Sequence, residues 1–140
     1  MNANQRFAVS LHILALLASS DAPLTSEAIA GSVDTNPVVI RRTMANLREN
    51  GFVKSKPGVH GGWRLIRRPE KIGLREIYRG LAQDDVLAIH SHPNKRCRVG
   101  SHIKDTLNDI FSSAQAEMEK ALGRYTIADV LDDVLARGGK

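Results

Sequence analysis

The stretch DTNPVVIRRTMANLRENGFVKSKPGVHGGWRLIRR, residues 34–68, decides the fold. Asn36 followed by Pro37 is a helix start: the amide oxygen can accept from the first free N–H groups, and a proline at the first helical position gives up an N–H with no intrahelical partner. Ile40, Met44 and Leu47, spaced four and three apart, form one apolar face, and Asn50-Gly51 supplies the stop. Arg41, Arg42 and Arg48 fall largely off that stripe. Two strand candidates follow, Phe52 to Lys56 and Trp63 to Arg67, joined by Pro57-Gly58-Val59-His60-Gly61-Gly62, and a hairpin is the simplest reading. Its glycines match neither a phosphate loop nor a dinucleotide fingerprint, so they predict close approach of backbone to something else.

Working outward, Phe7, Leu11, Leu14 and Ala18 repeat as an amphipathic helix, Asp21-Ala22-Pro23 marks a turn, and Thr25 or Ser26 can cap a two-turn helix carrying Ala28, Ile29 and Val33. On the other side, Leu74 to Leu81 reads as a fourth helix. Val86 to Ile89 is apolar and short, and residues 90–98 are polar and irregular. From Val99 the set Ile103, Leu107, Ile110, Phe111, Ala114, Met118 and Leu122 repeats every three or four residues. A helix of roughly 35 Å, at about 1.5 Å per residue, is too long for so small a domain to cover, so Ile103, Leu107, Ile110, Phe111, Ala114 and Met118 are expected to pack on a second copy. Thr126-Ile127-Ala128-Asp129 resembles a capping box before a last helix with Val130, Leu131, Val134 and Leu135.

Helix, helix, short turn, basic helix, glycine-tipped basic hairpin is the order of a winged helix-turn-helix. The expected fold is mainly α with a small β-hairpin wing, plus a long C-terminal dimerisation helix. The division expected is a DNA-binding unit over residues 1–83 and a sensor loop with dimerisation helices over 84–140.

The charge distribution points the same way. Residues 1–72 hold 10 Lys and Arg against 5 Asp and Glu, whereas residues 73–140 hold 10 of each. Between Arg41 and Lys71, nine basic residues face only Glu49 and Glu70. Such a field suits a polyanion. At 140 residues with 42% hydrophobic and 25% charged residues, the chain has material for one core and no composition of a disordered chain. A single cysteine cannot make an internal disulfide, Ser10 and His12 spoil the resemblance of residues 7–18 to a secretory signal, and no run reaches the roughly 18 apolar residues of a membrane span. The expectation is a cytoplasmic protein with no membrane partner. No nucleophile with an oriented base, carboxylate pair or phosphate loop occurs at usable spacing, so an enzyme is not expected.

Double-stranded DNA is the partner expected. Asn36, Val38, Val39, Arg41 and Arg42 lie at the start of the third helix, where arginine can contact guanine and valine a thymine methyl in the major groove. If Val39 is core and the arginines meet only phosphate, specificity changes but binding does not. Two other readings use the same fold: a protein-interaction adaptor without DNA binding, which the charge split disfavours, and a metal-responsive regulator.

Arg6-Phe7-Ala8-Val9, Leu47-Arg48-Glu49-Asn50-Gly51-Phe52-Val53 and Gly58-Val59-His60-Gly61-Gly62-Trp63-Arg64-Leu65 resemble the Rrf-two family of bacterial winged-helix repressors, which includes the IscR, NsrR and CymR types. The resemblance covers nearly the whole chain. It implies a homodimer crossed through its long helices, repression of transcription, and a wing tip in the minor groove. Lys56, Gly58, His60 and Gly61 would then lie near that groove, with Lys54 and Arg64 completing the basic wing. Iron-sulfur members carry three cysteines plus a fourth ligand before the long helix, whereas this chain offers only Cys97, so no cluster or other cofactor is expected. The chain looks closest to the cluster-less YwnA-like branch, through Thr35-Asn36-Pro37-Val38-Val39 and the loop Pro93-Asn94-Lys95-Arg96-Cys97-Arg98-Val99-Gly100.

That loop admits three readings. Cys97, flanked by Lys95, Arg96 and Arg98 and just ahead of a helix start, has surroundings that favour thiolate and hence a redox sensor. His90, His92, Cys97 and His102 are metal-ligand types within 13 residues, though at no standard zinc spacing. The third reading is an unreactive thiol among solvated histidines.

Overall fold

A computed structural model describes residues 3–81 and 87–138. Six helices and one hairpin follow in the order α1 (Ala3–Ala18), α2 (Ser26–Val33), α3 (Pro37–Glu49), β1 (Val53–Lys56), β2 (Gly62–Leu65), α4 (Leu74–Gly80), α5 (Ile103–Leu122) and α6 (Ile127–Gly138), with a 3₁₀ turn at Pro69–Lys71. This is the mainly helical, hairpin-winged fold expected. The boundary between residues 83 and 84, like the start of the apolar run at Val86, lies outside the described residues.

The core is built around α1. Ile13, Leu14 and Leu17 are buried against Ile29 of α2, Ile40, Met44 and Leu47 of α3, Phe52 and Val53 at the hairpin, and Leu74 and Ile77 of α4. The buried face of α1 is wider than the stripe expected from Phe7, Leu11, Leu14 and Ala18, because the helix is covered from several sides and even Ser10 is fully enclosed. Ile127 of α6 belongs to the same core. It is pinned there by backbone: its N–H donates to the Ile72 carbonyl at 2.9 Å, and the Leu74 N–H to that of Tyr125 at 3.1 Å. The capping box opens α6, with the Thr126 N–H donating to Asp129 Oδ2 at 2.9 Å and the Asp129 N–H to Thr126 Oγ1 at 3.2 Å. A segment assigned from sequence to the C-terminal unit over 84–140 therefore contributes to the core built around α1.

The long helix differs. Its pattern begins at Val99, but α5 starts at Ile103, because residues 94–102 form successive turns: the Arg96 N–H donates to Asn94 Oδ1, the Cys97 N–H to the Asn94 carbonyl and the Ser101 N–H to that of Cys97. Its 20 residues, roughly 30 Å long at 1.5 Å each, include none that is buried.

Candidate nucleic-acid interface

The ends of α3 are made as its sequence dictates. Asn36 Oδ1 accepts from the Val38 N–H at 2.7 Å, and Pro37 occupies the first turn. At the other end Gly51 takes φ +79°. Its N–H donates to the Arg48 carbonyl and the Phe52 N–H to that of Leu47, each at 3.0 Å, which is a Schellman close that also buries Phe52 against the core. With Ile40, Met44 and Leu47 fixed inward, Val38, Arg41 and Arg42 are left exposed and Val39 is half-buried. Asn36, whose oxygen is occupied by capping, keeps its amide NH₂ for outward contacts.

In the hairpin, antiparallel pairing runs from Val53 opposite Leu65 to Lys56 opposite Gly62. Lys54 and Arg64 are directly paired, and Lys56 is two residues from Lys54, so all three cations share the exposed face while Val53 is buried. Pro57, Gly58, Val59 and His60 form the exposed tip, with Gly61 half-buried at its edge. Gly61 lies against the Lys56 and Pro57 backbone of its own hairpin, whereas Gly62 approaches the connection between α1 and α2. The Trp63 N–H donates to the Leu24 carbonyl at 2.7 Å, the Leu24 N–H donates back at 3.0 Å, and a Cβ on Gly62 would stand 2.7 Å from Leu24 O. Trp63 Nε1 donates to Ser26 Oγ at 3.1 Å, and the Arg48 guanidinium lies 5.8 Å from the centre of the indole. The tryptophan thus fastens the wing to α2 and α3. Sequence reading missed this third edge of the sheet, because a single bridge at Leu24 leaves no alternation to detect.

The basic field is sharper than the count of residues suggested. Arg67 holds Glu76 through two hydrogen bonds at 2.7 and 3.0 Å and also donates to the Lys71 carbonyl, so it braces the hairpin base against α4. Glu76 raises the Arg67 pKa through that hydrogen bond. Arg68 pairs with Glu70 at 3.2 Å. Among the described residues Arg41, Arg42, Arg48, Lys54, Lys56 and Arg64 form no ion pair, and these are the cations on α3 and the wing.

Behind the head, α5 joins α4 through a polar cluster. Arg75 Nε donates to the Glu119 carbonyl at 2.9 Å, Arg79 Nε to Glu119 Oε1 at 2.6 Å, and Gln115 Nε2 to Tyr78 Oη at 2.8 Å. Hydrogen bonds from Arg79 and then Gln115 hold the Glu119 carboxyl below the usual carboxylate range. Along the remainder of α5, Ile103, Leu107, Phe111 and Met118 are half-buried, while Ile110 and Ala114 are exposed. Phe111 also lines an open cleft of about 770 Å³ with Leu87, Ile89 and Arg79.

Cys97 is exposed and six residues ahead of Ile103, so its thiol does not sit at the α5 N-terminus. Its pKa is lowered all the same, by the backbone N–H groups of Gly100 and, less, of Val99. The turn itself stabilises the thiolate, where the sequence pointed to Lys95, Arg96 and Arg98. His90, His92, Cys97 and His102 are not brought together as ligands: among the described residues no group of three or more His, Cys, Asp or Glu could hold a metal ion. His12, on α1, contacts Ser32 Oγ at 3.2 Å.

Comparison with known proteins agrees with this architecture. Residues 3–133 match the model of the Rrf2 family, described as an iron-dependent transcriptional regulator. YwnA of Bacillus subtilis (strain 168), provisionally named an HTH-type transcriptional regulator, is 41% identical over 130 residues, 92% of this chain and 96% of YwnA. A crystal structure provisionally described as that of a DNA-binding protein is 38% identical, with a TM-score of 0.73 over 90% of this chain and 98% of that one. IscR of T. potens, at 21% identity, shares the fold with a TM-score of 0.72 over 96% of this chain and 88% of its own. A thiolate-ligated iron-sulfur cluster does not fit the donors of this chain, since it needs several cysteines and the chain has one. No described helix is long and apolar enough to cross a membrane. These relatives are regulators and not enzymes, and the chain belongs to the Rrf2 family of transcriptional regulators.

Proposed function

We propose that this chain is a cytoplasmic, homodimeric, sequence-specific repressor that needs no iron-sulfur cluster and that reads DNA with α3 in the major groove and the wing in the minor groove. The observation that carries the reading is the set of exposed cations that form no ion pair among the described residues, Arg41 and Arg42 at the start of α3 beside Lys54, Lys56 and Arg64 on the wing face. Asn36, Val38 and Val39 supply the base-edge contacts available to the same helix start, and Gly58, His60 and Gly61 form the part of the wing slender enough for the narrower groove. The half-buried and exposed stripe of α5, from Ile103 through Leu107, Ile110, Phe111 and Ala114 to Met118, is the surface a second copy would cover. Two copies would present two α3 helices to a two-fold operator.

Cys97 is the redox switch in this reading. Its thiolate would attack hydrogen peroxide, forming an S–O bond as the O–O bond breaks, with hydroxide leaving and the sulfenic acid remaining. Condensation with a small thiol would then give a mixed disulfide and water. Either product puts new bulk at the turn from which α5 departs.

The test is duplex binding by fluorescence anisotropy across a salt series. A repressor of this design loses affinity linearly in log–log form as counterions are displaced, with a slope of about −0.9 per phosphate contacted. A flat dependence, or no binding at low salt, would refute the proposal.

A further inference from the structure

A second pocket, separate from the wing, lies behind the start of α3. Arg6 and Ser10 of α1, Arg42, Thr43 and Asn46 of α3, and Leu81 after α4 line a space of about 220 Å³. Ser10 is fully buried in the floor, and its Oγ is the one buried side-chain polar atom among the described residues that finds no hydrogen-bond partner. Leaving a buried hydroxyl unpaired is costly, so this site favours a polar occupant. The lining is rich in donors. Among the described residues Arg6 and Arg42 form no ion pair, and none of the described lining residues is a carboxylate. Asn46 spends one amide hydrogen on the Gly80 carbonyl at 3.2 Å and keeps the other. The Thr43 hydroxyl, donating to the Val39 carbonyl at 2.8 Å, is the lining group already committed.

We propose that this pocket takes a small divalent oxyanion, and that the ligand and DNA compete for Arg42. Two guanidiniums favour two negative charges, and arginine binds carboxylate and phosphate oxygens in paired fashion. The space, about 220 Å³, is on the scale of a four-carbon dicarboxylate or a free phosphate. Because Arg42 also belongs to the DNA-reading face, the competition rests on the proposed function, whereas occupancy of the pocket does not. An anion held between Arg6 and Arg42 turns the latter away from the groove, and linkage then requires that DNA weaken the anion by the factor by which the anion weakens DNA.

The full chain is titrated calorimetrically with sodium succinate and, separately, with inorganic phosphate, each against sodium chloride of equal ionic strength. At least one probe should bind saturably at one site per chain, succinate alone marking a carboxylate ligand and phosphate alone a phosphate. Arg6→Gln should weaken that binding tenfold or more, and Ser10→Ala, which removes an unpaired hydroxyl and leaves the fold intact by circular dichroism, about threefold or more. Saturating probe should lower affinity for a random duplex at low salt at least fivefold beyond the chloride control. Three results would each overturn the proposal: neither probe binding, Arg6→Gln binding like the parent, or duplex affinity unmoved by saturating probe. The calorimetry contains no DNA, so its outcome and the salt test of DNA binding fail independently.

Discussion

The head and the long helix both carry amphipathic apolar stripes and end in opposite states. In the head, Ile13, Leu14, Ile29, Ile40, Met44, Leu47 and Ile77 have at most 1% of their surface exposed. In α5 no residue is buried, and Ile110 is 55% exposed. The head closes on itself, with α6 returning to supply Ile127, whereas α5 is held to it mainly at one end, through Arg75, Arg79 and Gln115 around Glu119. An amphipathic stripe therefore specifies burial without specifying against what: the chain itself satisfies the head's stripes, and α5 waits for another surface.

The largest expected effect tests that contrast directly. Leu107→Asp with Phe111→Asp should dissociate the proposed dimer, since each side chain gains about 1.5 to 3 kcal/mol on full burial and each such dimer loses four of them. The head should keep its far-ultraviolet dichroism and melting transition. Sedimentation equilibrium showing a dimeric variant, or a monomeric parent at micromolar concentration, would break the comparison.

Replacing Arg41 and Arg42 together with Ala is the converse case, leaving the core of the head and the stripe of α5 untouched. Loss of specific DNA affinity should be roughly 2 to 6 kcal/mol if each arginine makes a bidentate base contact, and smaller, with a flatter salt slope, if they reach only phosphate. Unchanged affinity would remove α3 from the interface.

Gly62→Ala should strain the attachment of the wing and nothing else. The residue has φ +143° and its new methyl would stand 2.7 Å from Leu24 O, backbone that cannot swing aside. A destabilisation of about 1 to 3 kcal/mol is expected by urea denaturation, with sedimentation unaffected. A variant as stable as the parent would mean that the Leu24 bridge is dispensable.

How much of this was legible beforehand follows from range. Asn36-Pro37, Gly51, the α3 stripe and the Thr126–Asp129 box are local devices, read correctly because cap and capped group lie within a few residues. The hairpin was read from its turn, although β1 and β2 each came out shorter than the strands proposed. What escaped the sequence is long-range: Leu24 pairing with Trp63, Ile127 docking beside Ile72, and Arg67 leaving the basic field for Glu76. None of these leaves a periodicity. Among the site residues, exposure of Val38, Arg41 and Arg42 followed from the α3 stripe alone, while the capping duty of Asn36 could be read but its consequence for base contact could not.

The smallest expected effect concerns Cys97, which lies between the two regions. A thiol whose pKa is lowered in the folded chain ionises at lower pH than in the unfolded one, so at a given neutral pH its thiolate fraction, and its rate of alkylation, should exceed those of a free cysteine with pKa about 8.5. The plot of alkylation rate against pH should therefore have its midpoint below that of the urea-unfolded chain. By linkage, the stabilising contribution is present above the unfolded pKa and is lost as pH falls through the folded one. Because the cause is the Gly100 and Val99 amides and not Lys95, Arg96 or Arg98, added salt should scarcely move the midpoint. Neutralising Arg96 and Arg98 should likewise leave it in place, whereas Gly100→Pro, which deletes the principal N–H, should return it towards the unfolded value. A midpoint that tracks ionic strength would show that side-chain charge governs the thiol after all. One that matches the unfolded chain would show that the turn does not activate it.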